Sequence, residues 1–348
     1  MRILLVADVH GGVRTFAGEL ARQLTAADVD VHVALLGPRR RWRERVEAST
    51  CELRDLRLEW MEDPWEDVRL TAEWVEDLRQ RHRPDVVHMN TFAPVLSAHV
   101  PVVLTFHSCV LTWWRAVHGR SAPDGWSRYR LLVSEGLRRA DAVTVPTRAL
   151  LNELSAVYGP VRDAVVIPNG REVPVSYRAS EARERLVVTV GRLWDQAKNA
   201  ALLARAAGTI DGRVLLVGPG DVPGMSSLGE LEERHVFEWL SRAAVFAEPA
   251  RYEPFGLSAL EAALCGCALV LGDIPTLREV WGDAAWFVPV DDPVALAHAI
   301  NSILADPLRR SRMAADAGSV ASLLTPTAMA ASYLDTYRRV STMTAAAA

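Results

Sequence analysis

The feature that most constrains this chain is a repeated alternation of short β-rich apolar runs with stretches of helical period. Apolar runs at Arg2–Asp8, Val29–Leu36, Val86–Met89, Val100–Phe106, Ala142–Val145 and Val165–Ile167 alternate with helical patterns, among them Gly11-Gly12 to about Ala26, Trp65–Arg81 and Arg148–Val157. Short apolar runs bounded by turn residues read as strands buried on both faces, and strands that alternate with helices form parallel sheets through crossover helices. A polar stretch at Arg171–Arg185 precedes a second series. Its runs are Leu186–Val190, Arg213–Val217, Ala244–Ala247, Ala268–Leu271 and Ala285–Val290, with helices including Leu257–Cys265 and Pro293–Leu304. The reading is α/β, two doubly wound domains in tandem, which suits 348 residues at roughly 150 residues per domain.

Half of the residues are hydrophobic, 24% are charged and the net charge is −4. That balance belongs to a globular protein, and no basic field invites nucleic acid. The longest uncharged apolar stretch, Ala262–Gly272, is about half of what spans a bilayer. Asp8 interrupts Ile3–Ala7 before it reaches the length of a signal-peptide core, so a cytoplasmic protein is expected. Four cysteines are too sparse for a disulfide framework, and Cys265 and Cys267 lack a nearby Cys/His pair to complete a zinc site. They read as buried thiols.

Open parallel sheets bind ligands at the carboxyl ends of their strands. Those ends are polar here: Asp8 with His10-Gly11-Gly12, Asn90, His107, Thr147, Gly191-Arg192, Gly218, Glu248 to Glu253, and Asp273. If two such sheets face one cleft, most of these groups converge on it. Lysine is almost eliminated from the chain, with 38 arginines against the single Lys198. The two cations are similarly acceptable on a solvated surface but differ as a planar fork and a compact ammonium. Lys198 then marks either a place that requires a compact cation or a chance survivor.

Around it, Gly191-Arg192-Leu193-Trp194-Asp195-Gln196-Ala197-Lys198-Asn199 places two cations six residues apart at a helix start. Such a pair can flank a diphosphate, with helix N-terminal amides adding anion affinity. In Tyr252-Glu253-Pro254-Phe255-Gly256-Leu257-Ser258-Ala259-Leu260-Glu261 a glycine loop opens a helix, and two carboxylates lie eight residues apart. Glu253 on the loop suits sugar hydroxyls, Glu261 on the second turn suits the ribose diol, and the amides of Phe255, Gly256, Leu257 and Ser258 suit phosphates. As a cation in a cleft, Lys198 is expected to contribute little to folding.

The pattern Glu253-x7-Glu261 in the setting Glu-Pro-Phe-Gly-Leu follows Gly191-Arg192, Lys198-Asn199, Ile167-Pro168-Asn169-Gly170 and Gly11-Gly12. It resembles the retaining glycosyltransferase family 4 of GT-B fold, over essentially the whole chain. The resemblance implies two tandem doubly wound Rossmann-like domains facing a central cleft. Residues 1–168 would bind the acceptor, with a helix of about 328–348 packing back on them, and 169–327 would bind the donor. It implies that Arg192 and Lys198 hold the donor diphosphate, that Glu261 holds ribose, and that Glu253 and the backbone after it hold the donor sugar. His107 would sit beside the sugar and Ile167–Gly170 would be the hinge. Gly11, Gly12, Gly191 and Gly229 join the donor-binding set.

The implied reaction moves a hexose-type sugar from a nucleoside diphosphate sugar, UDP-linked before GDP-linked, to a hydroxyl of a small molecule or glycan. Retention, independence of metal and no cofactor beyond the nucleotide sugar as substrate are expected. The segment from Gly218-Pro219-Gly220 to Glu253 is shorter than the family pattern and lacks a helix and strand before Leu228-Gly229-Glu230, near where the base is gripped, which leaves the base open. The alternatives are a GT-B nucleotide-sugar epimerase or sugar-phosphate synthase, and a non-catalytic sugar-nucleotide binding module.

Other signals compete. Asp28-Val29-Asp30 is formally a metal-binding DxD, but it falls at the amino edge of the sheet. Gly218–Gly224 resembles a dinucleotide fingerprint, yet Pro223 obstructs the helix that fingerprint needs. Arg39-Arg40-Arg41-Trp42-Arg43 with Arg45 could meet anionic lipid or a phosphorylated acceptor, although a solvated face is favoured. Between Glu59 and Asp77 eight acidic residues stand against one arginine, which a cationic acceptor or simple solvation explains. Seven of eleven tryptophans lie between Trp42 and Trp126, and most read as core, with one or two as stacking platforms for the acceptor.

Overall fold

The computed structural model describes residues 1–38, 46–96, 100–177 and 183–347. The basic segment at Arg39–Arg45 lies outside the described residues. The chain forms two compact units. One comprises Met1–Arg115, Arg120–Gly170 and Pro326–Ala348, the other Ala116–Gly119 and Arg171–Thr325.

In the first unit seven parallel strands, β1 (Arg2–Asp8), β2 (Asp30–Leu36), β3 (Thr50–Arg54), β4 (Val86–Met89), β5 (Val102–Thr105), β6 (Ala142–Val145) and β7 (Ala164–Val166), lie in the order 3-2-1-4-5-6-7. The connecting helices are α1 (Gly11–Ala26), α2 (Trp65–His82), α3 (Val110–His118, of which Val110–Arg115 belong to this unit), α4 (Ser127–Arg139) and α5 (Arg148–Tyr158), and the last helix of the chain, α12 (Pro326–Ala347), joins this unit. Ile3 to Ala7 of β1 are wholly buried, because helices cover both faces of a parallel sheet. On one face Phe16, Leu20 and Leu24 of α1 and Tyr333 and Tyr337 of α12 pack over Ile3 and Leu5. Each such side chain contributes roughly 1.5–3 kcal/mol through burial. The polar atoms under α12 are satisfied together. His88 Nδ1 meets the Tyr337 hydroxyl at 2.7 Å and its Nε2 meets Thr105 Oγ1 at 2.6 Å. Burial pushes the His88 imidazole down to about 3, so it is neutral here. Strand order reverses between β1 and β4, the place where an open sheet leaves a crevice at its carboxyl edge.

The second unit has five parallel strands, β8 (Glu184–Val190), β9 (Arg213–Val217), β10 (Ala243–Glu248), β11 (Ala268–Gly272) and β12 (Trp286–Val288), in the order 12-11-10-8-9. Its helices are α6 (Ala200–Ala207), α7 (Glu233–Arg242), α8 (Leu257–Leu264), α9 (Pro275–Trp281), α10 (Pro293–Ala305) and α11 (Pro307–Leu323). Both α10 and α11 begin with an aspartate cap, Asp292 or Asp306, followed by proline at the first helical position. Between β9 and β10 the described chain has a loop and the single helix α7, as the short segment after Gly218 suggests. Strand order reverses between β8 and β10. The loops after β8 and β9 touch there, and a Cβ on Gly218 would stand 1.8 Å from the Gly191 carbonyl oxygen, at a φ of +134°. Only glycine fits.

Several sequence signals resolve into structure. Asp28 has a φ of +58° and Asp30 opens β2, its carboxylate 2.9 Å from Arg2 Nε, so this DxD sits at the amino edge. The acids of α2 lie on a solvated face, Glu66 and Glu73 paired with Arg69, Glu76 with Arg79, and Asp77 with Arg81. Cys265 and Cys267 are free and buried. The tryptophans correct the sequence reading. Of those described between Trp60 and Trp126, Trp74 alone is buried, while Trp60 is 41% exposed and Trp65 lies under Arg128 at 4.0 Å. Arginine stacking and half-exposed positions satisfy these rings without a core site.

Candidate active site

At the carboxyl edge of the second unit, the chain after β8 folds into a tight loop that ends at α6. Asp195 organises it. Its Oδ1 accepts from Ala197 N at 2.9 Å, its Oδ2 from Arg192 Nη2 at 2.7 Å, and its backbone oxygen from Lys198 N at 3.0 Å. Asn199, at a φ of +55°, donates through Nδ2 to Pro249 O at 2.8 Å and Val290 O at 2.7 Å, which ties this loop to those after β10 and β12. The result is a fixed Lys198. Its stem runs along Gly191, where an added Cβ would meet Lys198 Cε at 3.3 Å. Its Nζ donates to Glu248 Oε1 at 2.6 Å and to Glu253 Oε2.

The Lys198 side chain is 17% exposed and held between two carboxylates, an arrangement in which the cation bears on folding rather than contributing little to it. Burial alone would lower its pKa, but the charges of Glu248 and Glu253 and their hydrogen bonds outweigh burial and hold it above the ordinary lysine range. Glu248 is pushed up by burial and by the charge of Glu253. Glu253 is also buried, yet Lys198 and the amides of Gly256 and Phe255 hold it below the usual carboxylate value. Arg192 is more open. Its guanidinium lies 5.7 Å from the ring of Trp194, which is 61% exposed.

Glu253 is fixed at both ends. Its Oε1 accepts from Gly256 N at 2.9 Å and, at the limit of a hydrogen bond, from Phe255 N at 3.5 Å, while Thr276 Oγ1 donates to its backbone oxygen at 2.6 Å. Two of the four amides that the sequence aims at a phosphate therefore serve Glu253 in this structure. The Phe255 side chain belongs to the core, and Gly256 caps α8 at a φ of +91°. Leu257 and Ser258 form the first turn of α8, with Ser258 Oγ 3.5 Å from Glu248 Oε1. Glu261, on the next turn, has other partners. Its Oε1 accepts from Arg171 Nε at 2.7 Å, and Arg171 also binds Glu233 and lies over Phe237 at 5.5 Å. Gly229, at a φ of +68°, accepts through its carbonyl from Gly218 N at 2.8 Å and so shapes the loop after β9.

In the first unit His107 follows β5, and its Nε2 lies 2.8 Å from Asn90 Oδ1. Asn90 Nδ2 donates to Val6 O at 2.9 Å, which orients the amide so that its oxygen faces the ring. The imidazole must then carry its proton on Nε2 and present Nδ1 as an acceptor. Burial pushes its pKa down to about 4, so the ring is neutral. Its face packs edge-on against Phe16 at 4.7 Å. At the β1 end, Asp8 Oδ1 accepts from His10 N at 2.6 Å and holds the turn into Gly11, which opens α1 at a φ of +55°, and Gly12. Glu59 lies buried nearby, its Oε1 3.3 Å from Phe92 N, and burial with the charge of Asp8 raises it to about 7.

Thus Gly191, Arg192, Lys198, Glu253, Gly256 and Ser258 gather at the β8/β10 reversal of one unit, and His107, Gly11 and Gly12 occupy strand ends of the other. Sequence reading assigned no role to Asp195, Glu248, Asn90 or Arg171. Glu248 and Asn90 stood in view as lone polar groups closing apolar strands, and that position is the signal that could have found them.

Residues 10–173 match the family model described as Glycosyltransferase Family 4, and residues 184–306 match Glycosyl transferases group 1. D-inositol 3-phosphate glycosyltransferase of Xylanimonas cellulosilytica is 29% identical over 68% of this chain and 66% of its own length, so the chain spans just under two thirds of that relative. Among solved structures, sucrose-phosphate synthase from Thermosynechococcus elongatus superposes with a TM-score of 0.82 at 20% identity, covering 98% of this chain and 99% of that one. Anabaena HepE in complex with UDP and glucose gives 0.77 at 18% identity, over 97% and 100%. With two parallel α/β units whose halves match these two models in order, the chain belongs to the family-4-like glycosyltransferases of GT-B fold.

Proposed function

We propose that this chain transfers a hexose-type sugar from a nucleoside diphosphate sugar to a hydroxyl, retaining the anomeric configuration and using no metal. The observation that carries the reading is Lys198, the sole lysine, fixed at the β8/β10 reversal between Glu248 and Glu253 with Arg192 on the same loop. The chemistry requires stabilisation of a departing diphosphate and of an oxocarbenium-like centre, and preorganised charge supplies most of such work. One cation about 4 Å from a phosphate oxygen contributes roughly 4 kcal/mol at an effective dielectric of 20. Two cations with the amides of Leu257 and Ser258 replace a divalent ion. Glu253 would accept sugar hydroxyls and Glu261 the ribose diol. Neutral His107, with Nδ1 as acceptor, orients a hydroxyl and does not act as a cation. UDP is the first choice of nucleotide, and the HepE neighbour with UDP bound favours it.

A sugar-phosphate synthase is the second reading, favoured by the sucrose-phosphate synthase likeness and by the phosphorylated acceptor in the name of the inositol relative. Product formed only with phosphorylated acceptors would select it.

Thermal unfolding against UDP-, GDP-, ADP- and dTDP-sugars, with NAD as control, tests the donor. A ligand at 100 times its Kd stabilises by about 2.7 kcal/mol, and each kcal/mol moves the midpoint of a domain this size by roughly 2–4 °C. One nucleotide series should stand out. Stabilisation by NAD alone would overturn the reading, as would a β-linked product from an α-linked donor or loss of the initial rate in chelator for the retaining, metal-free part of it.

A further inference from the structure

The charges around Lys198 do not balance. Among the described residues Arg192 pairs with one carboxylate, Asp195, while Lys198 faces two, Glu248 and Glu253. The diphosphate of a nucleotide sugar would bring two more negative charges to a cluster already negative by one. A proton taken up by one carboxylate relieves this, and the two carboxylates on Lys198 differ in fitness to receive it. Glu253 has its second oxygen bonded by backbone amides, which favours its charged form. Glu248 is 1% exposed, and its Oε2 is buried with no hydrogen-bond partner among the described residues. A charged oxygen so placed has lost water without replacement, a cost that protonation removes.

Resting on the donor reading above, we propose that Glu248 is a positioning residue for Lys198, anchoring the ammonium in the free protein and taking one proton from solvent onto Oε2 when the donor diphosphate binds. The neutral carboxyl keeps Oε1 as an acceptor for Nζ, so Lys198 stays in place while one of its two opposing charges vanishes. Among the described residues the charged groups that face Glu248 are Lys198 from the loop after β8 and Glu253 from the loop after β10, and Ser258 of α8 adds its hydroxyl. Burial and Glu253 already bias Glu248 toward its neutral form.

The test is calorimetric binding of UDP-glucose, with GDP-mannose in parallel, at pH 6 to 8 in buffers of different ionisation enthalpy. The diphosphate diester keeps a constant charge over this range, so protons counted belong to the protein. Net uptake of up to one proton is expected, with Kd weakening by up to about tenfold per pH unit on the alkaline side. Glu248→Gln carries the neutral form permanently and should bind tightly with no uptake, while Glu253→Gln should still take up the proton. Binding without uptake in the wild type, or uptake that persists in Glu248→Gln, overturns the inference and leaves the donor reading standing. Failure of all four nucleotide series, UDP-, GDP-, ADP- and dTDP-sugars alike, to bind overturns the two together. Should Glu248→Gln not fold, wild-type uptake and its persistence in Glu253→Gln decide.

Discussion

Replacing Arg171 with methionine removes the guanidinium and keeps an apolar stem over Phe237. Arg171 has a side chain 6% exposed and joins Glu261, 14% exposed, to Glu233, 41% exposed. Removing one partner of a buried pair typically costs about 3–5 kcal/mol because the other charge stays behind. Glu233 can turn to water, so the cost here reduces to about 2–3 kcal/mol. At roughly 2–4 °C per kcal/mol the unfolding midpoint of the second unit should fall by roughly 4–12 °C. Arg171→Met with Glu261→Gln should recover part of that fall, because the stranded charge is gone. The functional consequence concerns ribose. A hydrogen bond to a charged group contributes about 1.5–3 kcal/mol, so a fixed Glu261 should favour UDP over 2′-deoxy-UDP by roughly 10- to 150-fold. In Arg171→Met the preference should fall several-fold, since the carboxylate loses the charged donor that holds Oε1. Calorimetry with the two nucleotides and thermal melts of the folded variant measure both. An unchanged melt, or a folded variant with full ribose preference, would refute Arg171 as the group that sets Glu261.

Lys198→Ala should lower turnover by at least about a hundredfold. It should also lower stability, because it strands Glu248 and Glu253 in a buried site; Lys198→Ala with both glutamates changed to glutamine should regain stability without activity, and recovery of turnover there would remove Lys198 from the chemistry. Glu59, raised to about 7 by burial and the charge of Asp8, makes the first unit less stable as pH rises. Below about 4.5 folded and unfolded chains both hold its proton; between 4.5 and 7 the folded one alone does, and stability falls by about 3 kcal/mol before levelling. Glu59→Gln, which keeps an acceptor for Phe92 N, should flatten that slope in denaturant melts taken from pH 4 to 8, and an unchanged slope would place the titration elsewhere.

The parallel strands were legible because burial on both faces leaves few ways to write them. Ile3–Ala7, Val187–Val190 and Ala268–Leu271 are near-continuous apolar runs, and their ends fall within a residue or two of where the runs stop. Edge strand β3 was not read. Thr50-Cys51-Glu52-Leu53-Arg54 is half-buried and alternates polar with apolar residues, and five residues of alternation do not stand out from a loop. The helices α7 and α11 escaped for a related reason. Glu233, Arg234, Glu238 and Arg242 interrupt the pattern of α7, and Arg309, Arg310, Arg312 and Asp316 that of the first part of α11, and what fixes them is tertiary, Phe237 and Leu240 in one case and Ala317 and Ala321 in the other.

The site was legible in residue type and illegible in partnership. Strand ends announce themselves, because a polar residue that closes an apolar run stands where an open sheet leaves its crevice, and Asp8, Asn90, Glu248 and His107 all obey this. Which of them meet depends on strand order, and order is not written locally. β8 and β10 are neighbours only because the crossover through β9 and α7 returns the chain to the other side of β8, and that return is what sets Glu248 against Lys198. The same step changes the meaning of the lone lysine. An isolated cation in a cleft would be a diphosphate clamp and nothing more, whereas a cation held between two carboxylates must be released from part of their charge before it can serve a third anion. Protonation of Glu248 provides that release without moving the backbone, so the geometry that hides Lys198 from solvent is also what makes its availability depend on the proton.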